Sequence, residues 1–334
     1  MPVPRVIAFG DVIDDIIVTP AGEIRPDTDT SARIERRAGG SAANAAAWFA
    51  ALGARTDFFG RVGRDDVDRH TSELAASGVG AHLVADPDRP TGTIVVVLQP
   101  DRTRTMLTER GANALTGPHD VDRALLVPGA HLHLTGYSLF NDVPGSERQS
   151  AVRACAALIA EARAAGVSVS VNPGSAGFIA DHGADVVLAA ARGATVLLPN
   201  LDEGRALTGL EDPDAVAGAL LAHAEVVALT MGRGGLLAVA RGADGHPVSV
   251  RVPALLVDPV DTTGAGDAFS AGFVHALLSS GGFGVEPGST ALDRERLEQA
   301  GRAGVRCAAV AIRRVGARPP ADLSALDAHR QEVL

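Results

Sequence analysis

Near the carboxyl end of the 334-residue chain, Asp261-Thr262-Thr263-Gly264-Ala265-Gly266-Asp267-Ala268-Phe269 runs into a stretch of helical pattern, Ser270–Leu278. Two glycines one residue apart let the backbone turn tightly and present bare N–H groups. The first turn of a helix leaves its N–H groups unpaired and carries partial positive charge. Gly264, Ala265 and Gly266 would therefore make a hole suited to an anion such as a phosphate. Asp267 stands inside it, at the helix start. A carboxylate there can take a proton from an incoming hydroxyl while the N–H groups stabilise charge on a transferring phosphoryl group. An ordinary Asp has a pKa of ~3.9 and is ionised at neutral pH. Taken alone, the same residues also read as a helix cap and a turn.

Composition narrows what such a hole would serve. The 30 basic residues are all Arg. Without lysine there is no phosphate-binding-loop lysine and no Schiff-base chemistry, so Arg, a metal ion or backbone N–H groups must handle any phosphate. A net charge of −10 disfavours nucleic acid as a partner. Cys155 and Cys307 lie in Ala-rich stretches and lack metal-ligand spacing, so they read as small core residues. The start, MPVPRVIAFGD, does not read as a signal peptide. No run reaches the ~18 apolar residues of a membrane span. The expectation is a cytoplasmic protein that acts on a small molecule.

Elements must hold these residues in place. Val6–Gly10, Arg55–Gly60, Thr93–Leu98, His131–Thr135, Val167–Val171, Thr195–Leu198, Glu225–Thr230 and Leu236–Ala240 read as strands. Ser41–Leu52, Asp65–Ser77, Ser146–Ala165, Ala265–Ser279 and Arg294–Arg313 read as helices. This alternation predicts a mostly parallel sheet covered by helices. Asp15–Ala38 breaks the rhythm. With Thr91–Thr108, folded back at Pro100–Asp101, it is expected to form a small antiparallel flap. Pro128–Gly129 and Gly281–Gly288 read as loops without marking a domain break.

Four pieces in order resemble the signatures of the ribokinase-like (PfkB) carbohydrate kinases. The first is Gly39-Gly40-Ser41-Ala42-Ala43-Asn44, continuing through Leu52-Gly53-Ala54 and Gly60–Asp66. The others are Asn200-Leu201-Asp202-Glu203, Thr230-Met231-Gly232-Arg233-Gly234-Gly235, and the Asp261–Phe269 motif. One departure is Asp68, which follows Val67 where the family commonly has Gly.

The resemblance covers essentially the whole chain. It implies one kinase domain, 1–334, with a three-layer α/β/α ribokinase-like fold, a mostly parallel central sheet and a small β-rich lid over about 15–38 and 91–110. It implies ATP as phosphoryl donor and Asp267 as general base, with Gly264, Ala265 and Gly266 as the anion hole. Asn200 and Glu203 would hold Mg²⁺ through water, and Thr230, Gly232 and Gly235 would line the nucleotide pocket. The helix before Gly316-Ala317 would add to the adenine pocket. Asp15, with Asp11 and Asp14 as rivals, would bind acceptor hydroxyls beside Gly40 and Asn44. Arg110 or Arg104 would meet an anionic group. A monovalent cation is admitted as activator, and a homodimer through the lid is expected.

Two other functions compete with sugar phosphorylation. A nucleoside kinase would want an aromatic stacking partner, which Tyr137, Phe140, Phe58 or Phe59 could supply; aromatics are only 3% of the chain. A non-catalytic sugar sensor would have no use for Asp267. A dinucleotide-binding dehydrogenase fits less well, because the first strand leads to Gly10-Asp11 rather than to a Gly-rich helix start.

Overall fold

The structure, a computed structural model, describes residues 3–98, 104–139, 148–242, 246–283 and 292–328. In chain order the strands are β1 (Arg5–Phe9), β2 (Ile13–Pro20), β3 (Ala32–Gly39), β4 (Arg55–Gly63), β5 (Val79–Asp86), β6 (Thr93–Leu98), β7 (Arg104–Glu109), β8 (His131–Thr135), β9 (Ser168–Asn172), β10 (Val196–Leu197), β11 (Val226–Thr230), β12 (Leu236–Arg241) and β13 (Pro247–Val252). The helices are α1 (Ser41–Ala51), α2 (Val67–Ala76), α3 (Arg148–Ala164), α4 (Ala176–His182), α5 (Ala184–Ala190), α6 (Leu201–Thr208), α7 (Pro213–Leu220), α8 (Ala265–Ser279), α9 (Arg294–Ala311) and α10 (Ser324–Ala328).

The large sheet runs β13-β12-β11-β10-β9-β8-β1-β4-β5. It is parallel from β5 to β11 and antiparallel at β12 and β13. Successive side chains on a strand face opposite layers. Ile7 and Phe9 of β1 accordingly pack with α3, α5 and α7, whereas Val6 packs with α1, α8 and α9. These are the three layers that the sequence predicted.

With few aromatics, the second layer is filled by backbone approach. A Cβ on Gly272 of α8 would meet Cys307 Sγ at 2.7 Å, and one on Gly304 of α9 would meet the Phe269 ring at 2.7 Å. Cys307 and Cys155 are both buried, in line with the core reading. Phe58 is fully buried and Phe59 stacks on His82 with ring centroids 4.5 Å apart. Neither lines the cavities at the α8 start, which corrects the expectation that they could stack on a nucleobase.

The smaller sheet runs β3-β2-β6-β7. The expected flap is present, but it is mixed rather than antiparallel, because β2 and β6 are parallel. No hairpin joins them. Both leave the body side by side, with Asp14 N–H donating to Gly92 O at 2.9 Å. The lid strands begin at Ile13 and Thr93, close to the expected bounds. The turn at Pro100–Asp101, the residue Phe140, the start of the predicted Ser146 helix and most of the Gly281–Gly288 loop lie outside the described residues.

Strand β5 was not foreseen: Gly80, Ala81 and His82 blunt its alternation at the sheet edge. The short helices α4, α5 and α7 and strand β13 were also unread, each being too short to show a period. Among the described residues, no helix is long and apolar enough to cross a membrane.

Candidate active site

The motif of residues 261–269 is folded by its first residue. Asp261 Oδ1 accepts from the Thr263 N–H at 2.9 Å and the Thr263 hydroxyl at 2.7 Å, and Oδ2 accepts from the Gly316 N–H at 3.0 Å. One carboxylate thus shapes the turn and ties the carboxyl-terminal segment beneath it. Gly264, at φ 75°, is the N-cap of α8, and the Ala268 N–H donates to its carbonyl at 2.9 Å. The Ala265 N–H is turned toward Thr262 O at 3.3 Å. The N–H groups that follow, of Gly266 and Asp267, belong to the helix's first turn, which lacks carbonyls one turn behind it.

Asp267 is 9% exposed on that turn. Its Oδ1 accepts from the Ser41 hydroxyl at 2.6 Å and its Oδ2 from Asn44 Nδ2 at 3.0 Å. Both partners sit in the first turn of α1, whose N-cap is Gly40. A Cβ on Gly40, at φ 94°, would lie 2.4 Å from the Asp11 carbonyl oxygen, so a glycine is needed where α1 abuts the β1–β2 connection. Burial pushes Asp267 up to about 6, against the lowering by Ser41, Asn44 and Arg318. The ordinary carboxylate expected from sequence is therefore replaced by one that titrates near neutrality.

Two cavities meet at this helix start. One, of about 310 Å³, is apolar and lined by Thr230, Gly232, Gly235, Leu255, Val305 and Ile312, among others. Val305, Ala308 and Ala309 come from α9, the helix expected at an adenine pocket. The other, of about 510 Å³, is the more polar of the two and holds Asp11, Asp15, Gly40, Asn44, Arg110, Asn200, Glu203 and Asp267 beside aliphatic lid residues such as Ile94 and Val96. Thr230, Gly232, Thr262, Ala265, Gly266 and Phe269 line both.

Of the three rival acidic residues after β1, Asp11 and Asp15 line the second cavity and Asp14 does not. Asp15 points into the polar cavity from lid strand β2. Burial, and next the charges of Asp267, Asp261 and Asp14, push it up to about 7. Asp14 faces the other way and is held by Arg36 and by Arg69, whose Nη1 donates at 2.8 Å. Asp11 lines the cavity, and burial raises it against the pull of Arg110. Arg110 Nη2 donates to Tyr137 O at 2.8 Å and lies 3.4 Å from Asp11 Oδ1. Asn113 clamps the connection between β1 and β2 by exchanging two hydrogen bonds with the backbone of Val12, at 3.1 and 2.8 Å.

Asn200 and Glu203 form a capping box at the start of α6. The Asn200 side chain accepts from the Glu203 N–H at 2.9 Å, and Glu203 accepts from the Asn200 N–H at 2.9 Å and from Nδ2 at 2.6 Å. The cap is buried rather than superficial, with Glu203 4% exposed on the cavity wall. Burial is the main cause that raises Glu203 to about 8. A cation nearby would favour its ionised form. Among the described residues no three His, Cys, Asp or Glu side chains gather to cage a metal. The side-chain oxygens of Asn200 and Glu203 are the sparse donors that would suit a divalent ion keeping several waters, as Mg²⁺ does.

Three side chains at the site escaped sequence reasoning as functional candidates. Ser41 bonds Asp267, and Arg233 stands exposed at the apolar cavity. Arg318 donates from Nε to Asn44 Oδ1 at 3.2 Å. Ser41 and Arg233 lie within recognised motifs and could have been found there. Arg318 carries no local pattern.

A sequence model described as pfkB family carbohydrate kinase matches residues 3–323. The ATP-dependent ribose-1-phosphate kinase of Halopiger xanaduensis is 31% identical over 286 residues, covering 83% of this chain and 86% of that protein. The adenosine kinase of Sinorhizobium meliloti superposes with a TM-score of 0.78 at 26% identity, covering 99% of this chain and 100% of the other. The fructokinase of Vibrio cholerae O395, bound to fructose, ADP and a calcium ion, superposes with a TM-score of 0.76 at 26% identity, covering 97% and 98% of the two chains.

Proposed function

The chain belongs to the pfkB family of carbohydrate kinases, and from that premise we propose that it moves the γ-phosphoryl group of ATP onto a hydroxyl of a small sugar. The observation that carries this reading is the pair of cavities, one apolar and one polar, that share the α8 start as a wall with Asp267 on it.

Adenine lies in the apolar cavity, between the Thr230–Gly235 turn and α9. The γ-phosphoryl group reaches the first-turn N–H groups of α8. The acceptor sits in the polar cavity, hydrogen-bonded by Asp15 and bordered by Gly40, Asn44 and Arg110. As its hydroxyl oxygen bonds to phosphorus, the proton passes to Asp267 and the bond to the β-phosphate oxygen breaks, releasing ADP. Asp267 then returns the proton to solvent. Charge growing on the phosphoryl oxygens meets the N–H groups of α8 and, in the absence of lysine, Arg233. Glu203 and Asn200 would hold Mg²⁺ through water, where it neutralises phosphate charge.

Sugar is favoured over nucleoside because the polar cavity offers little stacking surface. Among the described residues lining it, the aromatics are Tyr137 and Phe269. Tyr137 already packs on Phe178 at 5.5 Å, and Phe269 stacks on Phe273 at 5.8 Å. The test is acceptor-stimulated ADP release from Mg-ATP across sugars, sugar acids, sugar phosphates and nucleosides. One acceptor class should stimulate turnover, and Asp15→Ala should raise its KM by ~10-fold or more, the worth of a charge-assisted hydrogen bond. No stimulation by any sugar, with a nucleoside active, would overturn the sugar reading.

The body and lid act as one catalytic unit in the cytoplasm, the lid closing to exclude water from the phosphoryl group. The lid also supports a homodimer. Strand register puts Ile16, Val18, Ile34, Val95, Val97 and Leu107 on the face opposite Asp15, with Ile34 65% and Leu107 60% exposed. Light scattering should return twice the chain mass, and Leu107→Glu should lower it. A monomer at high concentration would overturn the dimer.

A further inference from the structure

A guanidinium group only donates hydrogen bonds, and an ionised carboxylate only accepts them. The side-chain amide of Asn44 lies between one of each. Arg318 Nε donates to Asn44 Oδ1 at 3.2 Å, and Asn44 Nδ2 donates to Asp267 Oδ2 at 3.0 Å. With Oδ1 taken by Nε, the NH₂ end of the amide is the end that meets Asp267. The reversed amide would set oxygen against oxygen at Asp267 unless a proton stood between them.

Arg318 is held where it must be to do this. The Gly316 N–H is bonded to Asp261 at 3.0 Å, and the Ala317 carbonyl accepts from Trp48 Nε1 at 3.0 Å. Pro319 follows and keeps Arg318 extended. Arg318 Nη2 is buried with no hydrogen-bond partner. Among the described residues no carboxylate closes to ion-pair distance on this group, so its charge acts on the site at large.

We propose that Arg318 is a positioning residue for phosphoryl transfer, acting through the Asn44 amide to hold Asp267 as an unprotonated carboxylate aimed at the acceptor. This rests on the reading of Asp267 as the base. The surrounding charges make such a device necessary. Asp15 from β2 and Glu203 from α6 are acidic neighbours of Asp267, and the Tyr137 hydroxyl also feels its charge. Arg318 is the cation set against them, lowering both Asp267 and Asp15, and the charges it feels are those of Glu73 of α2, then Asp15, then Asp267. Burial brings Arg318 down to about 10, so it remains charged at neutral pH.

The test is the pH profile of kcat/KM for the stimulating acceptor in Arg318→Met, Arg318→Gln, Arg318→Lys and Asn44→Ala. Both neutral variants at position 318 should move the acid limb upward from about 6. A shift of roughly one unit makes the loss about tenfold greater below the limb than above it. Arg318→Lys should keep the limb near its original place. Asn44→Ala should move the limb the same way, and the double variant Arg318→Met/Asn44→Ala should add little, because the two act in series. Emission from Trp48, the single tryptophan, reports whether the 316–318 segment stays docked. An equal loss at every pH with Trp48 emission unchanged would make Arg318 a structural residue and overturn the proposal. Additive shifts would overturn the route through Asn44. If the Arg318 variants do not fold, an unmoved limb in Asn44→Ala overturns it alone. Wild-type turnover in Asp267→Asn would instead refute the base itself, a separate failure.

Discussion

Asp267→Asn should lower kcat by ~10²–10⁴, the range for removing a positioned acid–base group, while leaving ATP binding nearly intact. The side chain changes by one atom and keeps its partners within reach: the new amide oxygen can still accept from Asn44 Nδ2, and the Ser41 hydroxyl can turn to accept from the new NH₂. The apolar cavity, the proposed nucleotide site, does not include this residue. Single-turnover phosphoryl transfer and ATP titration calorimetry separate the two effects, and a variant with wild-type turnover would remove Asp267 from the chemistry. The wild-type enzyme carries a related signature. A carboxylate raised to about 6 takes up a proton as pH falls through that value, so kcat should fall on the acid side and level off above. Asp15, raised to about 7, should make the acceptor KM rise over a window beginning nearer neutrality. Each loss lies below the folded value, because the ionised form is the one that works.

Gly264→Ala should cost activity out of proportion to the one methyl group it adds. Its φ of 75° disfavours any side chain, and a Cβ would stand 2.4 Å from Ala317 Cβ and 2.7 Å from Ala317 Cα. Backbone strain of this kind costs roughly 1–3 kcal/mol. Relieving the overlap must also push the 316–318 segment away from the α8 start, taking Arg318 with it. Gly53→Ala is the matched control, since Gly53 has φ 97° but nothing within 4 Å of its added Cβ. Both variants should lose thermal stability, and only Gly264→Ala should also lose at least ~10² in kcat/KM, as expected when an oxyanion-type hole is displaced. Equal kinetics in the two would mean that the close packing of Ala317 does not shape the anion hole.

Much of this site was legible in the chain because its chemistry is local. Gly264 to Asp267 read either as an anion hole or as a helix cap, and three other motifs in order along the chain favour the first. The alternation of strands and helices placed the main sheet and its layers. What could not be read is set by distance and burial. Arg318 meets Asn44 across 274 positions and Asn44 meets Asp267 across 223; no window of sequence contains that relay. Burial, which lifts Asp267, Asp15 and Glu203 together, belongs to the closed fold and not to any one residue. The parallel pairing of β2 with β6 depends on β5 returning the chain to the lid base, and β5 itself was hidden by its blunted pattern.

The shared wall between the two cavities has a consequence for inhibition. Thr262, Ala265 and Gly266 border both compartments, so a donor in one and an acceptor in the other, as proposed, would meet across this wall. A single molecule that joins adenosine to an acceptor mimic through a polyphosphate bridge can occupy both at once. Once its adenosine end is seated, its other end is confined near its own compartment, and the second binding event becomes intramolecular. Such a tethered ligand should out-compete either half alone, with selectivity among related kinases set by the acceptor end, because the polar compartment carries Asp15, Asn44 and Arg110 while the apolar one is closed mainly by aliphatic side chains.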